Sequence, residues 1–517
     1  MFLKSESYKN MEGMKMEQRL TRGAGILLPI SSLPSPHGIG TFGKAAYQFV
    51  DSLKAAGQMY WQVLPIGPTS YGDSPYQSFS TFAGNPYFID LDMLVEEGLV
   101  ERSVLNSIDW GQLEYDIDYS KMYDNRYAIL RKAFFKSQER EKEEYKAFIA
   151  DNKEWLDDYS LFMACKDYFE QKEWLKWEED IKTRKPEALK YYRALLKEKV
   201  EFWQYVQYKF FEQWKKLKTY ANENCIEIIG DIPIYVALDS SDVWSDPTHY
   251  QLDDNLKPVD VAGYPPDAFS DYGQKWGNPI YDWDAMEKDG FSWWMRRMSA
   301  ASKLYDVIRI DHFIGIAKYY AIPVDGVPSD GEFRPGPGEK LIEAIDKAVG
   351  DSKIIAEDLG DAVPEAKRLL IRSGYPGMKV LEFAFDGNRT NEYLPHTYDK
   401  NCVVYSGTHD NETLLGYFSS LSEESFQYLM DYTGSNDRSE LAQNVITLAY
   451  ESVADTVIIQ MQDILMKNND ARMNLPFTIG KNWRWRLKKG EFNNECIRRL
   501  HKLADVYNRI NQGGNNN

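Results

Sequence analysis

The stretch that decides the fold is residues 338–385, GEKLIEAIDKAVGDSKIIAEDLGDAVPEAKRLLIRSGYPGMKVLEFAF. It begins with a helical pattern and continues into the apolar run KIIAEDLG (353–360). A second helical pattern and the run MKVLEFAF (378–385) then repeat the pair. Both runs are apolar without alternation, which is typical of parallel strands buried on both faces. Helices between such strands indicate an α/β fold.

Six further runs of this kind occur in the chain: GILLPI (25–30), YWQVLPI (60–66), IEIIGDIPIYV (226–236), DVIRIDHF (306–313), NCVVYSGTHD (401–410) and TVIIQMQDIL (456–465). Helical patterns lie between most of them. Eight such units in order predict a (β/α)8 TIM barrel. A doubly wound sheet is the competing architecture, but no Gly-rich phosphate loop follows the first run.

Two gaps between strands are too long for simple crossovers. In residues 67–225 a Gly/Pro/Ser-rich loop precedes helical patterns at 126–148, 159–178 and 187–222, and residues 237–305 are rich in Pro, Asp, Gly and Trp with little regular periodicity. Because both follow strands, we expect inserted subdomains at the C-terminal face of one barrel domain spanning 21–510. Residues 1–20 and 511–517 are expected to be disordered tails.

The composition indicates which ligands are disfavoured and which cellular compartment to expect. The net charge of −18 over 517 residues disfavours nucleic acid and anionic lipid. Aromatic residues make up 14% of the chain, which suits either the packing of long helices or stacking on the C–H faces of sugars. The four cysteines are widely spaced, the N-terminus lacks an apolar signal core, and no apolar run is long enough to span a membrane. We therefore expect reduced thiols and a cytoplasmic protein.

Polar residues close four of the predicted strands. In a TIM barrel, such residues point into the mouth, where active sites are built. An isolated acid at a strand end is often only a loop cap, but several acids converging on one mouth favour catalysis, and two of these have an adjacent histidine. The residues are Asp231, Arg309, Asp311, His312, Glu357, Asp358, His409, Asp410 and Asn411.

Two carboxylates with opposite protonation states are what the cleavage of a glycosidic bond needs. Arg309 lies two residues before Asp311 and points to the same side of its strand, so we expect it to lower the pKa of Asp311 and keep that group anionic. Glu357 has no basic neighbour in sequence, and like charge around it raises its pKa, which suits a general acid. Spacing alone does not force these assignments.

Other chemistries fit the sequence less well. Asp-His and His-Asp pairs can bind a divalent ion, but no HxH or HExxH spacing appears, so no metal site is predicted. A serine nucleophile is not supported because GxSxG is absent. Lys379, inside the sixth strand, is a candidate Schiff-base lysine by position alone.

The motifs together resemble those of the 4-α-glucanotransferases of glycoside hydrolase family 77 (amylomaltase, or disproportionating enzyme). The resemblance runs from about residue 22 to 490. It rests on GILLPISSLPSPHGIGTFG, LPIGPTSYGDSPYQSFSTFAGNPYFID, GDIPIYV, AGYPPDAFSDYGQKWGNPIYDW, IRIDHF, IIAEDLG, GTHDN and ARMNLPFTIGKNWRWR, in this order. It implies a barrel without a separate C-terminal β-sandwich domain.

The resemblance also implies roles for individual residues. Asp311 is expected to be the nucleophile of a retaining mechanism, Glu357 the general acid/base, and Asp410 the stabiliser of the transition state. Around the cleaved bond it places Tyr76, Asp231, Trp276, Asn278, Arg309, His312 and His409, with Phe269 on a covering loop, Ser74, Asp386 and Asn474 as further sugar contacts, and Tyr71 on a more remote glucan-binding surface.

The implied substrates are α-1,4-glucan donors with glucose or maltooligosaccharide acceptors, and no cofactor is required. Two alternatives remain at this stage. One is an α-amylase-like hydrolase with the same carboxylates and water as the acceptor. The other is a catalytically silent glucan-binding protein, which intact acids at all three positions disfavour.

Overall fold

The computed structural model describes residues 19–70, 72–138, 141–266, 272–360, 363–476 and 478–510. The chain contains twelve strands within these ranges: β1 Gly23–Leu27, β2 Tyr60–Gln62, β3 Glu227–Ile232, β4 Asp260–Tyr264, β5 Gln274–Pro279, β6 Val307–Ile310, β7 Lys318–Pro323, β8 Glu332–Pro335, β9 Lys353–Ala356, β10 Gly377–Val380, β11 Cys402–Tyr405 and β12 Thr456–Gln460. The predicted tails, apart from Arg19 and Leu20, lie outside the described residues.

Eight of these strands form one parallel sheet in the order β10-β11-β12-β1-β2-β3-β6-β9. The sheet closes where the Ala356 N–H donates to the Pro376 carbonyl at 3.0 Å and the Met378 N–H donates to Asp358 Oδ1 at 2.8 Å. All eight correspond to the apolar runs in the sequence, so the predicted (β/α)8 barrel is confirmed. The strands end earlier than the runs, because the last residues of each run turn into the mouth of the barrel.

The barrel strands are buried as their composition requires. The side chains of Val457, Ile458 and Ile459 in β12 have no exposed surface. Burying an aliphatic side chain of this size stabilises the fold by about 1.5–3 kcal/mol.

Between and around the strands the described helices are α1 Lys44–Ala55, α2 Leu91–Glu96, α3 Arg102–Asn106, α4 Tyr119–Lys136, α5 Glu143–Asp151, α6 Lys153–Tyr168, α7 Glu179–Lys182, α8 Pro186–Leu195, α9 Lys197–Glu223, α10 Ser241–Ser245, α11 Trp283–Lys288, α12 Ser292–Leu304, α13 Ile314–Ala317, α14 Glu339–Val349, α15 Pro364–Ser373, α16 Leu414–Ser420, α17 Glu423–Thr433, α18 Leu441–Glu451, α19 Met461–Ile464 and α20 Asn494–Val506.

The insertion after β2 is mostly helical in its second part, as its periodicity predicts. The predicted helix 126–148 is in fact two helices, α4 and α5, separated by a break that begins at Ser137. The predicted helix 187–222 likewise divides into α8 and α9 at Leu196.

The region 237–305 is more regular than the sequence indicates. It holds three helices, α10 to α12, and the strands β4 and β5, which join β7 and β8 in an antiparallel sheet of order β5-β4-β7-β8. This sheet was not predicted because its strands are short and interrupted by Gly and Pro, as in DVAGY, QKWGNP and EFRP. It stands beside the mouth of the barrel and carries Trp276 and Asn278.

Two further findings concern the hydropathy of the helices and the cysteines. No helix in the described part of the chain is both long and apolar enough to cross a membrane. Cys165, Cys225, Cys402 and Cys496 are unpaired thiols.

Candidate active site

The strand ends place the three acids singled out in the sequence around one cavity. Asp311 directly follows β6, Glu357 directly follows β9, and Asp410 lies in the loop after β11. Parallel strands end at the same face of a barrel, so these loops share its mouth. The Asp311 N–H donates to the Ile232 carbonyl at 3.0 Å, and the Glu357 N–H donates to the Ile310 carbonyl at 3.0 Å, which continues the strand pairing up to these two acids.

Arg309 connects two of the acids. It is opposite Asp231 in the β3–β6 register. Its Nη1 donates to both carboxylate oxygens of Asp231 at 2.7 Å and to Asp311 Oδ1 at 2.9 Å. The side chains of Asp231 and Arg309 are 0% and 4% exposed, whereas that of Asp311 is 26% exposed. Asp231 thus fixes the guanidinium from below, while Arg309 and the more exposed Asp311 reach the cavity.

Glu357 is held by two backbone N–H groups. Its Oε2 accepts from the His312 N–H at 2.6 Å and its Oε1 from the Leu359 N–H at 2.9 Å. His312 adopts a left-handed backbone conformation, with φ of 51°, which is costly for a residue with a Cβ. This conformation turns its N–H toward Glu357 and sets the position of the carboxyl group.

Asp410 is held by an amide and a histidine. Asn474 Nδ2 donates to Asp410 Oδ1 at 2.6 Å, and His409 Nε2 lies 3.3 Å from Asp410 Oδ2. Arg472 Nη2 donates to the Asp410 carbonyl oxygen at 2.6 Å, which fixes the backbone of the same residue. These contacts orient the carboxylate although 37% of its side chain is exposed.

The three acids differ in protonation. Burial raises the pKa of Asp311 to about 6, against the opposing effect of Arg309. Burial also raises the pKa of Glu357 to about 8, with Asp311 adding to the rise. For Asp410, burial is outweighed by His409, Asn474 and Arg309, so its pKa falls to about 2. At neutral pH Asp311 and Asp410 are therefore largely ionised and Glu357 is largely protonated.

Arg309 lowers the pKa of Asp311 as expected, but burial outweighs this effect, so the net shift is upward. The sequence shows Arg309 but does not show how much solvent the Asp311 carboxylate loses, nor that Asp311 shares the same guanidinium nitrogen with both carboxylate oxygens of Asp231. The expected rise in the pKa of Glu357 is confirmed, with burial as its first cause and like charge as an addition.

Aromatic rings form two walls beside the acids. Tyr76 stacks on His409 with ring centroids 5.0 Å apart and an interplanar angle of 18°, and its hydroxyl donates to Asp231 Oδ2 at 2.8 Å. Trp483 lies 5.8 Å from both rings. On the other wall, Trp276 meets His312 edge-to-face at 4.8 Å. Such faces suit the apolar surface of a sugar ring.

The cavity between these walls has a volume of about 440 Å³. Most of the residues proposed from the sequence line it: Ser74, Tyr76, Trp276, Asn278, Arg309, Asp311, His312, Glu357, His409, Asp410 and Asn474. Asn278 is held by Gln77, whose Nε2 donates to its Oδ1 at 3.0 Å.

Four proposed residues stand apart from this group. Asp231 is buried beneath the cavity and does not line it. Asp386 is exposed on the loop after β10, where its carboxylate accepts from the Asn388 N–H at 2.8 Å, and it does not line the cavity either. Tyr71 and Phe269 lie outside the described residues.

The structure adds residues that sequence reasoning missed. Trp483 and Arg472 belong to the ARMNLPFTIGKNWRWR segment, from which only Asn474 was singled out, and Gln77 follows Tyr76 directly. The sequence signal available for these three residues was their position in motifs that resemble those of the 4-α-glucanotransferases. Among the residues that the structure describes, no group of three or more His, Cys, Asp or Glu side chains is placed to hold a metal ion.

Comparison with known proteins identifies the family. A family model described as 4-α-glucanotransferase, glycoside hydrolase 77, matches residues 28–492. The 4-α-glucanotransferase of Clostridium butyricum is 48% identical over 483 residues, covering 93% of this chain and 99% of that one.

Two solved structures are similar as well. The amylomaltase from Streptococcus agalactiae in complex with acarbose has a TM-score of 0.92 and 42% identity, and the match covers 95% of this chain and 100% of that one. The amylomaltase from Corynebacterium glutamicum has a TM-score of 0.76 at 18% identity, covering 93% and 75% of the two chains, which supports the fold alone. The chain therefore belongs to the 4-α-glucanotransferase family, glycoside hydrolase family 77.

Proposed function

We propose that this enzyme transfers segments of α-1,4-glucan between maltooligosaccharide or starch-type chains by a retaining double displacement. The observation that carries the proposal is the meeting of two carboxyl groups in one cavity, Asp311 bound by Arg309 and Glu357 bound by two backbone N–H groups. Asp311 is largely ionised at neutral pH, with a pKa of about 6, while Glu357 retains its proton, with a pKa of about 8. A retaining glycosidase needs this pair of states before the donor is cleaved.

In the first half of the cycle a carboxylate oxygen of Asp311 attacks C1 of the donor sugar. The bond from C1 to the bridging oxygen breaks, and the bridging oxygen takes the proton of Glu357. The products are a glucosyl ester on Asp311 and a shortened glucan with a free 4-hydroxyl. Arg309 remains on Asp311 Oδ1 at 2.9 Å and orients the nucleophile.

In the second half the ionised Glu357 removes the proton from the 4-hydroxyl of an acceptor glucan. The acceptor oxygen attacks C1, the ester bond to Asp311 breaks, and both acids return to their starting states. Two inversions at C1 retain the α configuration. Asp410 stays anionic throughout and supports the positive charge that develops on the sugar ring.

The walls of the cavity favour a sugar over water as the acceptor. The stacked Tyr76 and His409 on one side and Trp276 on the other offer ring faces on which an acceptor glucose can lie. A well-held acceptor excludes water from the ester, so transfer is expected to exceed hydrolysis. The α-amylase-like alternative has no comparable support.

Incubation with maltotriose tests the function. Transfer predicts glucose together with oligomers longer than maltotriose, with no net gain of reducing ends. A rise in reducing ends without longer products would identify a hydrolase instead.

The nucleophile is tested separately with Asp311→Asn. We expect a loss of several orders of magnitude in kcat while sugar binding persists, with the surface variant Glu365→Gln as the matched control. Peptide mapping of wild-type enzyme quenched in acid during turnover should place a glucosyl adduct on Asp311. An adduct on another residue, or unchanged turnover in Asp311→Asn, would contradict the assignment. The cytoplasmic location expected from the sequence remains a prediction.

A further inference from the structure

A second, larger groove lies away from the catalytic cavity. It has a volume of about 1020 Å³ and shares no lining residue with the cavity that holds the acids. Its walls come from α5, α6 and α9 of the first insertion on one side and from α10, α12 and the end of α14 on the other.

The floor of this groove is aromatic. Phe82, Phe148, Trp155 and Phe211 all line it and are only partly buried against the core. The rings of Phe82 and Trp155 are nearly parallel, with an interplanar angle of 15° and centroids 6.3 Å apart, and Trp155 lies 5.9 Å from Phe211. Four large rings that share one partly exposed surface form a platform suited to apolar faces, such as the C–H faces of glucose.

The rim is polar and balanced in charge. Among the described residues five basic and five acidic side chains line the groove. Glu154 and Arg296, from opposite walls, form an ion pair at 2.9 Å. Deeper in the groove, both carboxylate oxygens of Asp242 accept hydrogen bonds from Thr81. On a chain with a net charge of −18, a balanced rim favours neither a phosphate nor a polycation.

We propose that this groove is a second binding site for an α-1,4-glucan chain. The combination of an aromatic floor with hydrogen-bonding groups of both signs fits a neutral polyhydroxylated ligand. The inference rests on the proposed function, since it takes the enzyme's own substrate as the occupant. A chain bound here tethers a long polymer to the enzyme and leaves a trisaccharide unaffected, because a trisaccharide held in one site gains nothing from tethering at the other.

Two variants test the site. Trp155→Ala removes part of the platform, and Ser299→Trp fills the groove from α12 without removing a ring, so it tests the site even if the first variant is unstable. Tyr191→Ala, at a ring that is 59% exposed on α8 outside the groove, is the matched control. The measured quantities are kcat and KM with maltotriose and with soluble starch, and migration through starch-containing native gels.

Both groove variants are expected to raise KM for soluble starch about tenfold, the change that about 1.4 kcal/mol of lost binding free energy produces. Their retardation by starch in the gel should weaken, while kcat and KM with maltotriose stay at the wild-type values. The control variant should match the wild type in every assay.

The outcomes separate the two proposals. Absence of longer products from maltotriose would overturn the proposed function, whatever starch binding shows. Normal maltotriose transfer with unchanged starch KM and gel retardation in both groove variants would overturn the second site alone. Sedimentation of wild type and Ser299→Trp adds a further check, because a wild-type dimer that Ser299→Trp dissociates would assign the groove to a second copy of this chain and contradict the proposal.

Discussion

The Glu357→Gln substitution tests the assignment of acid and nucleophile most directly. With pKa values of about 6 for Asp311 and about 8 for Glu357, the active form predominates near pH 7. From those two values, kcat/KM of the wild type at pH 5, where Asp311 is protonated, should be about ninefold lower than at pH 7. At pH 9, where Glu357 has lost its proton, it should also be about ninefold lower than at pH 7. The pKa values that define the acid and alkaline limbs of this profile belong to the pair of carboxyl groups as a whole.

The substitution should affect natural and activated donors differently. With maltotriose the variant lacks its proton donor, and kcat/KM should fall about 10²- to 10⁴-fold. With α-maltosyl fluoride the leaving fluoride needs no proton, so the first equivalent of fluoride per active site, followed with an ion-selective electrode, should be released at close to the wild-type rate. Later turnovers should slow, because Glu357 is also the base that activates the acceptor. The alkaline limb of the pH profile for fluoride release should disappear in this variant. The acid limb should keep its midpoint near pH 6, because Glu357 is uncharged in that range and glutamine is uncharged too.

One structural effect of this variant needs a control. Both Glu357 oxygens accept backbone N–H groups, and the amide nitrogen of glutamine cannot accept. Loss of one such bond costs about 1–3 kcal/mol, so thermal unfolding should be recorded beside Glu365→Gln. An alkaline limb near pH 8 that persists in Glu357→Gln with the fluoride donor would refute the assignment of Glu357 as the acid.

Three further predictions concern the surroundings of the acids and the base of the barrel. Asn474→Ala removes the 2.6 Å bond to Asp410 and should lower kcat/KM for maltotriose about 10- to 150-fold, as expected for a hydrogen bond to a charged group worth about 1.5–3 kcal/mol; a change below twofold would contradict its role. Gly407→Ala places a Cβ 2.6 Å from Gln460 Nε2 and Glu382 Oε1, so these buried side chains or the loop that carries Asp410 must shift; kcat with maltotriose and the free energy of unfolding, measured by urea denaturation, should both fall. Arg509→Ala removes five hydrogen bonds to backbone carbonyls and should lower the free energy of unfolding by about 3 kcal/mol with kcat unchanged, whereas the exposed Arg498→Ala should not.

The barrel could be predicted from the sequence because its strands are continuous apolar runs. Runs such as KIIA and TVII admit few structures other than buried parallel strands, and barrel closure then brings their polar ends together. The antiparallel sheet beside the mouth could not be predicted, because its strands derive stability from pairing with segments distant in sequence, as β4 pairs with β7.

Most residues that line the site could be predicted from the sequence, but their pKa shifts could be predicted less well. Residues at strand ends are visible in sequence, but the solvent lost by Asp311 is a property of the assembled cavity, and it reversed the expected direction of the pKa shift. Contacts between distant segments were likewise hidden. Trp483 approaches Tyr76 across about four hundred residues, and nothing local in either segment indicates the other.

The way in which the barrel closes determines where it should open in local, sub-global unfolding. Seven neighbouring strand pairs are joined by ladders, whereas within the described residues β9 and β10 are joined by one backbone bond and by the carboxylate of Asp358. This seam should open first in sub-global fluctuations, and the amide hydrogen of Met378 should exchange with solvent sooner than those of β11. Because β9 leads directly into Glu357, opening the seam releases the proposed catalytic acid, so the enzyme should lose activity in mild denaturant before it loses its helices.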